Sequence, residues 1–394
     1  MTNASRQFDV IVLGAGAAGL MCAATAGHRG RRVALLEHNG QVGRKILISG
    51  GGRCNFTNLH CGPGNFLSEN AHFAKSALAL YEPRHFIELV EQHGIAWHEK
   101  TLGQLFCDYS ARAIVEMLLA ECARGGVETV LNARGIEVEG AAGGGFRVEC
   151  SQGEFAAGVL VVATGGLSIP KLGATGLGYE LARQFGLKVV SPRPALVPLV
   201  LGRDEARWTE LAGVAAEVAV RVSGCDTRFR ERMLVTHRGL SGPAVLQASS
   251  YWRAGDELVV DFAPGTDVLR ALMGPGARRV EVAFKQALRE VLPQRLAGFL
   301  AEAGGPKGWS NSALEACEQG LHRWAFHPMK TEGFEKAEVT AGGVDTAGLQ
   351  ARTLEAQSVP GLFFIGEAVD VTGWLGGFNF QWAWASGVAA GRAV

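Results

Sequence analysis

The segment FDVIVLGAGAAGL, residues 8–20, decides the fold of this 394-residue chain. Its apolar run, Phe8 to Leu13, ends in a Gly-x-Gly-x-x-Gly motif, and a segment of small residues that reaches Gly30 follows. A second apolar run occupies Arg32 to Glu37. A strand, a tight turn, a helix and a second strand in this order are typical of a βαβ unit, which predicts an α/β fold with a parallel sheet.

Each glycine of the motif stands where a larger side chain would clash. Gly14 permits the tight turn, Gly16 lets the backbone approach a pyrophosphate, and Gly19 lets the helix pack on the strand. The helix N-terminus then offers free N–H groups and a positive dipole end to phosphates. Glu37 lies eighteen residues past Gly19, where a carboxylate can accept the ribose hydroxyls. The alternative is that these glycines serve packing alone.

A second glycine-rich stretch, GRKILISGGGRCNFTN, spans residues 43–58. Its three consecutive glycines are surrounded by basic and polar side chains, namely Arg44, Lys45, Ser49, Arg53 and Asn55. Such a loop can wrap an extended dianionic cofactor, because the bases neutralise phosphate and the backbone amides donate hydrogen bonds to ring edges. A surface loop with incidental charges is the alternative.

Two further strand ends carry glycines. The strand that ends in VVATGG, residues 161–166, brings backbone to the carboxyl edge of the sheet, where α/β folds bind ligands. GLFFIGE, residues 361–367, is another buried strand, and Gly376-Gly377-Phe378-Asn379 opens the last helix. The positive end of that helix would stabilise negative charge on a bound cofactor.

The remaining patterns indicate how the chain is divided. Helical patterns occupy roughly Phe73 to Gln92 and Ala111 to Arg124. From about Val190, a proline cluster opens a segment of short alternating strands that continues into a helical part, about Val280 to Trp324. This middle segment therefore reads as an inserted α+β domain.

The amino-acid composition limits which kinds of partner, metal site and location we expect. Lys+Arg and Asp+Glu are both 38 and no basic run occurs, so we expect no nucleic-acid partner and no anionic membrane partner. The eight cysteines have no CxxC pair and no metal-ligand spacing, which favours reduced thiols and no metal site. No apolar run reaches the ~18 residues of a membrane span, and a strand begins too near the N-terminus for a signal peptide. We expect a cytoplasmic protein.

The order of these motifs resembles the two-dinucleotide-binding-domain flavoproteins, and in detail it is similar to the HI0933-like (YhiN-type) family of NAD(P)/FAD-dependent oxidoreductases. The similarity runs nearly end to end, through GAGAAGLMCA, GRKILISGGGRCNFTN, VVATGG, PRPALVPL, THRGLSGPAVLQ, VTAGGV and GEAVDVTGWLGGFNFQWAWASG.

The resemblance implies a glutathione-reductase-like, Rossmann-type FAD-binding domain built from both chain ends, residues 1–190 and 336–394. The insert, residues 191–335, would hold a β-barrel (about 191–265) and a helical part (about 266–335). Ile136 would lend its backbone to adenine by analogy with related folds. The complete set of predicted FAD-binding residues is Gly14, Ala15, Gly16, Ala17, Ala18, Gly19, Glu37, His38, Arg44, Lys45, Ser49, Gly50, Gly51, Gly52, Arg53, Cys54, Asn55, Ile136, Ala163, Thr164, Gly165, Gly166, Gly366, Glu367, Asp370, Gly376, Gly377, Phe378 and Asn379.

Catalytic side chains are less well marked. Cys54 adjoins the presumed flavin loop but lacks a redox partner five residues on, so a structural thiol is the alternative. His237 and Arg238, in the insert, could face the flavin across the cleft, where His237 would suit a general acid or an anion clamp, or they could belong to a turn. Trp374, Trp382 and Trp384 could shield the flavin, or could pack in the core.

These features predict an FAD-dependent oxidoreductase that moves a hydride through flavin N5. We expect a small organic substrate in a cleft between the FAD domain and the insert, with NAD(P)H as a transient electron donor. The alternatives are a flavin-dependent enzyme that modifies tRNA or another nucleic acid, and a non-catalytic FAD-binding protein.

Overall fold

The computed structural model describes residues 5–141 and 144–394, and the chain divides into two compact units. The first unit contains the chain up to Arg193 together with Val339–Val394, and the second unit is Pro194–Glu338. The boundaries predicted from the sequence, 190/191 and 335/336, differ from these by three residues.

The chain before the insertion contributes eleven of the described strands and six of the described helices. The strands are β1 (Arg6–Leu13), β2 (Val33–Leu36), β3 (Asn55–Asn58), β4 (Phe66–Leu67), β5 (Trp97–Glu99), β6 (Gln104–Cys107), β7 (Glu128–Val130), β8 (Glu137–Gly140), β9 (Phe146–Cys150), β10 (Gly153–Val162) and β11 (Val189–Ala195). The helices are α1 (Ala17–His28), α2 (Arg44–Ile48), α3 (Lys75–Leu80), α4 (Pro83–Gln92), α5 (Arg112–Arg124) and α6 (Leu177–Gln184).

The insertion and the returning chain supply the remaining described elements. The second unit holds β12 (Leu199–Val200), β13 (Ala215–Val222), β14 (Phe229–Val235), β15 (Gly239–Ser241), α7 (Pro243–Ser249), β16 (Leu258–Asp261), α8 (Arg270–Met273), α9 (Glu281–Val291), α10 (Gln294–Gly304), α11 (Asn311–His322), β17 (Trp324–Phe326) and β18 (Lys330–Thr331). The first unit is completed by β19 (Val339–Val344), β20 (Leu362–Phe364), β21 (Thr372–Gly373) and α12 (Phe378–Ala393).

A parallel sheet in the order β7-β2-β1-β10-β20 forms the centre of the first unit. The first half of β10 also pairs with β9 in antiparallel register, and β9 pairs with β8. Val10 to Leu13 are buried, as are all four residues of β2, because parallel strands are covered on both faces. The prediction of a Rossmann-type α/β domain is confirmed.

Helices α1 and α12 pack against each other through small residues, and this contact is called the α1–α12 seam. A Cβ atom at Gly387 of α12 would lie 2.7 Å from the carbonyl oxygen of Ala18, which is closer than real contacts allow. Beyond this seam, Trp384 is fully buried and stacks on Phe86 at a centroid distance of 4.3 Å. Trp382 is also buried. These two tryptophans pack in the core, which was the alternative to a role in shielding the flavin.

The second unit contains a seven-stranded sheet in the order β17-β16-β13-β14-β15-β12-β18. Strands β17 and β18 follow the helical part of the insertion, so residues 266–335 do not form a purely helical part. Only three residues separate β17 from β18, although these strands lie at opposite ends of the strand order. The sheet must therefore curl until its two edges approach each other, as in a barrel.

Among the described residues, no helix has both the length and the apolar character that crossing a membrane requires.

The α1–α12 seam generates the first prediction. Gly387→Ala should destabilise the first unit by about 1–3 kcal/mol, because the added methyl group overpacks a closed interface. Gly298→Ala is the matched control, since Gly298 lies in α10 with no atom within 4 Å of an added Cβ. The control should be stabilising by about 0.5–1 kcal/mol, as expected for glycine replacement within a helix. Chemical denaturation of both variants measures these changes; a stabilised Gly387→Ala protein would contradict the seam.

Candidate functional site

Four parallel strands of the first unit end at one edge of the sheet, and this edge defines the candidate site. β1 pairs with β2 up to Leu13 and Leu36. The amide of Ala163 donates to the carbonyl of Leu13 at 2.8 Å, and the amide of Ile365 donates to the carbonyl of Val162 at 3.1 Å. The ends of β2, β1, β10 and β20 therefore lie side by side, where α/β folds bind their ligands.

The turn from β1 into α1 contains glycines of two kinds. Gly14 has φ +102°, and a Cβ there would lie 2.6 Å from the carbonyl oxygen of Ala163. A Cβ at Gly19 would overlap the carbonyl of Gly14. At Gly16, by contrast, an added Cβ would meet no described atom within 4 Å. The packing of the protein itself requires Gly14 and Gly19, whereas the space beside Gly16 is open.

Helix α1 begins directly after Gly16, and in the described structure it has neither a side-chain cap nor an acidic residue in its first turn. Its first N–H groups are therefore available to a bound group. Because these groups lie at the positive end of the helix dipole, the bound group they favour is an anion such as a pyrophosphate.

Glu37, at the end of β2, is a buried carboxylate that links two segments of the edge. Its Oε2 accepts a hydrogen bond from the amide of Ala15 at 2.8 Å. Its Oε1 accepts from the backbone amide and the side-chain amide of Asn39, each at 2.9 Å. Since a carboxylate oxygen can accept more than one hydrogen bond, Glu37 is held in place and can still accept from ribose hydroxyls.

A polar network joins four segments at the far end of the edge. Lys45 Nζ donates to Glu367 Oε2 at 2.6 Å and to Ser168 Oγ at 2.7 Å. Ser168 Oγ donates to Glu367 Oε1 at 3.0 Å, and the amide of Thr340 donates to the same oxygen at 2.9 Å. The network brings together α2, the loop after β10, β19 and the residue that follows Gly366.

Two buried hydroxyl groups near this network have no hydrogen-bond partner among the described residues: those of Thr164 and Tyr179. Burial raises the pKa of the Tyr179 phenol, and the charges of Glu367 and Asp370 raise it further, so Tyr179 stays protonated and can donate. A buried polar group left unsatisfied costs about 1–3 kcal/mol.

The second glycine-rich loop packs against the start of α12. Gly377, the residue before that helix, has φ +96°, and a Cβ there would overlap the carbonyl of Thr57. Asn58 Nδ2 donates to the carbonyl of Gly376 at 2.9 Å. Added Cβ atoms at Gly51 and Gly52 would meet no described atom within 4 Å. The loop is fixed at β3, therefore, and open beside these two glycines.

Three predicted residues are engaged by the protein itself. Arg44 donates to the side chain of Asn39 at 2.7 Å and to the carbonyl of Leu172 at 3.0 Å. Asn379 Nδ2 donates to the carbonyl of Gly373 at 2.9 Å. Asp370 Oδ2 accepts from the amide of Glu69 at 2.8 Å. These side chains hold the loops that surround the edge.

The candidate catalytic residues come from both units. Cys54 is buried, and its burial raises the pKa of its thiol, so the reactive thiolate is disfavoured at neutral pH. All eight cysteines are free thiols. His237 and Arg238 belong to the second unit, where Arg238 pairs with Glu332 at 3.6 Å.

Sequence reasoning did not single out Ser168, whose hydroxyl donates to Glu367, Thr340, whose backbone amide donates to Glu367, or the buried Tyr179. The stretch VTAGGV supplied a signal for Thr340, but a hydroxyl residue within a buried strand has no distinctive spacing. Only the fold shows that it faces Glu367.

The comparisons with known proteins agree with this geometry. The family model of the HI0933-like protein Rossmann domain matches residues 8–393. The chain belongs to this family. It is a flavoprotein and an oxidoreductase, and FAD is its cofactor. The open helix start and the buried carboxylate of Glu37 fit an extended dinucleotide. The assignment of individual FAD contacts stays a prediction.

Two curated relatives match nearly the whole chain. One, from Escherichia coli (strain K12), is 48% identical over 392 residues, covers 98% of both chains and is named ribosomal RNA dihydrouridine synthase. The other, from Haemophilus influenzae (strain ATCC 51907 / DSM 11121 / KW20 / Rd), is 42% identical, covers 99% of both chains and has the same name. A solved quinol–fumarate reductase shares the fold, with a TM-score of 0.53 at 16% identity, over 99% of this chain and 71% of that one.

These relatives overturn two expectations. The prediction of a small organic substrate is wrong, and so is the prediction that nucleic acid is not a partner. The physical reason lies in the argument from composition. A net charge of zero averages over the whole surface, whereas screening in salt limits electrostatic attraction to about 10 Å, so that local charge decides what binds.

The open space at Gly16 gives the second prediction. Gly16→Val should yield a folded but colourless protein, because the side chain would fill the pyrophosphate position. Gly140→Val is the matched control: Gly140 ends β8, where an added Cβ meets no described atom within 4 Å. Flavin absorbance per mole of purified protein measures the difference. A Gly16→Val protein with a full complement of FAD would refute the phosphate-loop assignment.

Proposed function

We propose that this protein reduces uridine to dihydrouridine in ribosomal RNA. The observation that carries the proposal is the identity of 48% and 42% to two ribosomal RNA dihydrouridine synthases over nearly the full length of both. Similarity that spans both units, rather than the Rossmann motifs alone, supports a common substrate as well as a common cofactor.

The reaction suits a flavoprotein of this fold. Saturation of the uracil C5–C6 double bond adds a hydride to C6, the β carbon of the C4 carbonyl, and a proton to C5. Reduced FAD, when bound, supplies the hydride from N5. The rest of the protein must bind this cofactor and position the RNA.

We assign the parts of FAD to the edge as follows. The N–H groups at the start of α1 hold the pyrophosphate beside Gly16. Glu37 accepts hydrogen bonds from the adenosine ribose. Lys45, which donates to Glu367 and Ser168, would have one N–H left to donate at the far end of the edge, and the positive end of α12 would stabilise negative charge on the flavin.

The electron donor in this proposal is NADH or NADPH. The sequence contains a single Gly-x-Gly-x-x-Gly in a βαβ context, at residues 14–19, which FAD would occupy. A nicotinamide donor would therefore visit the flavin transiently and leave before RNA binds. Anaerobic stopped-flow mixing with each nucleotide should bleach the flavin absorbance.

Dihydrouridine formation tests the proposal directly. The purified holoprotein is incubated with NADH or NADPH and with unmodified transcripts of large- and small-subunit ribosomal RNA, and nucleoside digests are analysed by mass spectrometry. We expect dihydrouridine, heavier than uridine by two hydrogens, in one of the two RNAs. The Gly16→Val protein should form none, because it lacks the cofactor.

The experiment uses more than one form of the RNA substrate, because a modification site can require folded ribosomal RNA. Partially assembled ribosomal subunits are therefore tested beside the transcripts. A holoprotein whose flavin is reduced by the donor, yet which forms no dihydrouridine in transcripts or subunits, would contradict the proposed function.

A further inference from the structure

Five arginines lie together on one face of the sheet in the second unit. This arginine face consists of Arg221 on β13, Arg228, which precedes β14, Arg230 and Arg232 on β14, and Arg323, which precedes β17. The residues are separated by as many as 102 positions in the sequence, so no basic run marks them.

The strand register places the arginines of β13 and β14 on the same side. Ala219 is paired with Arg230, and Glu217 is paired with Arg232, in the antiparallel ladder. Because side chains alternate between the two faces of a strand, Arg221 shares the face of Ala219, and Arg228 shares the face of Arg230. Neighbouring arginines along β14 are about 7 Å apart, twice the rise of one strand residue.

The opposite side of these strands is the core of the unit. Val218, Val220, Met233 and Val260 are almost completely buried. The arginine face is the side left to solvent in this unit. Arg221, Arg228 and Arg323 line a cleft of about 220 Å³ on it.

The charges on this face do not balance. Arg230 Nε pairs with Glu217 Oε1 at 2.9 Å. Arg228 pairs with Asp261. Within residues 5–141 and 144–394, the side chains of Arg221, Arg232 and Arg323 make no ion pair or hydrogen bond. Glu257 also lies on this face, two residues before Val259, and pairs with His327 at 3.6 Å. Three guanidinium groups thus remain without a carboxylate partner.

The floor of the cleft adds no free negative charge. Asp261 also accepts a hydrogen bond from the amide of Ala263 at 3.0 Å and lies 2.8 Å from His322 Nδ1. Burial opposes protonation of His322, but its hydrogen bonds to Asp261 and Glu318 outweigh that effect and raise its pKa. The imidazole therefore tends toward its cationic form, which further offsets these two carboxylates.

We propose that the arginine face binds the phosphate backbone of the ribosomal RNA substrate. The proposal rests on the proposed function and extends it, because it assigns RNA binding to the second unit. Guanidinium groups form paired hydrogen bonds with phosphate oxygens and keep their charge at any physiological pH. Contacts of this kind position an RNA without reading its sequence. Glu217 and Asp261 also lie on this face, but they pair with Arg230 and Arg228 and leave the other three guanidinium groups available to phosphate.

The test replaces the three unpaired arginines. The variant is Arg221→Gln, Arg232→Gln and Arg323→Gln in one chain, which leaves both ion pairs of the face intact. The matched control removes three exposed arginines of the second unit that lie outside the sheet and have no ion pair among the described residues, through Arg203→Gln, Arg278→Gln and Arg289→Gln, and so has the same net charge. Flavin content and unfolding midpoint are measured first, to show that both proteins are folded.

Binding is measured with a fluorescein-labelled 20-nucleotide oligouridylate at several salt concentrations. Each lost phosphate contact on a single strand lowers the slope of log Kd against log salt by about 0.7, so three lost contacts should lower it by about 2. The same variant should raise the KM for the ribosomal RNA substrate by at least tenfold and leave kcat unchanged. The control should keep the wild-type slope and KM.

The possible outcomes separate the two proposals. A triple variant with the wild-type slope and KM would overturn the RNA-binding role of the face. Unchanged RNA binding combined with lost binding to phosphatidylserine vesicles would assign the face to a membrane and would also overturn it. A wild-type protein that forms no dihydrouridine refutes the proposed function, and the oligouridylate slope then decides the arginine face by itself.

Discussion

The alignment of parallel strand ends along one sheet edge is the constraint on which the rest of the structure depends. β1 and β20 belong to opposite ends of the chain, yet both pair with β10. Backbone hydrogen bonds join the end of each of these two strands to the end of β10. At Gly387, the absence of a side chain lets α12 pack closely against α1. The chain leaves the first unit through β11 and returns through β19, which are hydrogen-bonded neighbours, so a large insertion leaves the sheet undisturbed.

Much of this arrangement is predictable from local patterns. The GxGxxG turn, the apolar strands and their terminal glycines predict the Rossmann-type sheet, because each steric requirement acts within a few residues. The predicted helix from Phe73 to Gln92 is wrong in one respect: it is two helices, since Pro83 begins α4. The antiparallel strands β3, β5 and β6 were not predicted, because their short ladder is stabilised by packing around Phe56 and Phe106 rather than by a period in the sequence.

The parts of the site that escaped prediction depend on long-range contacts. Thr340 and Ser168 gain their roles only because two distant segments meet at Glu367. The arginine face shows the same limit for charge. Glu231 stands between Arg230 and Arg232 in β14, but its side chain points to the other side of the sheet. Positive and negative charges therefore alternate in the sequence, whereas the arginines share one face of the folded sheet. The prediction from net charge that nucleic acid is not a partner was therefore wrong, because the charge of one face is not visible in the total.

The most direct test of the central claim is an experimental structure of the protein with FAD. The account predicts that the pyrophosphate oxygens lie within hydrogen-bond distance of the first amides of α1, and that residues from both ends of the chain contact the same FAD molecule. Density for FAD that is contacted only by the N-terminal segment, or that lies away from the shared strand edge, would contradict the account.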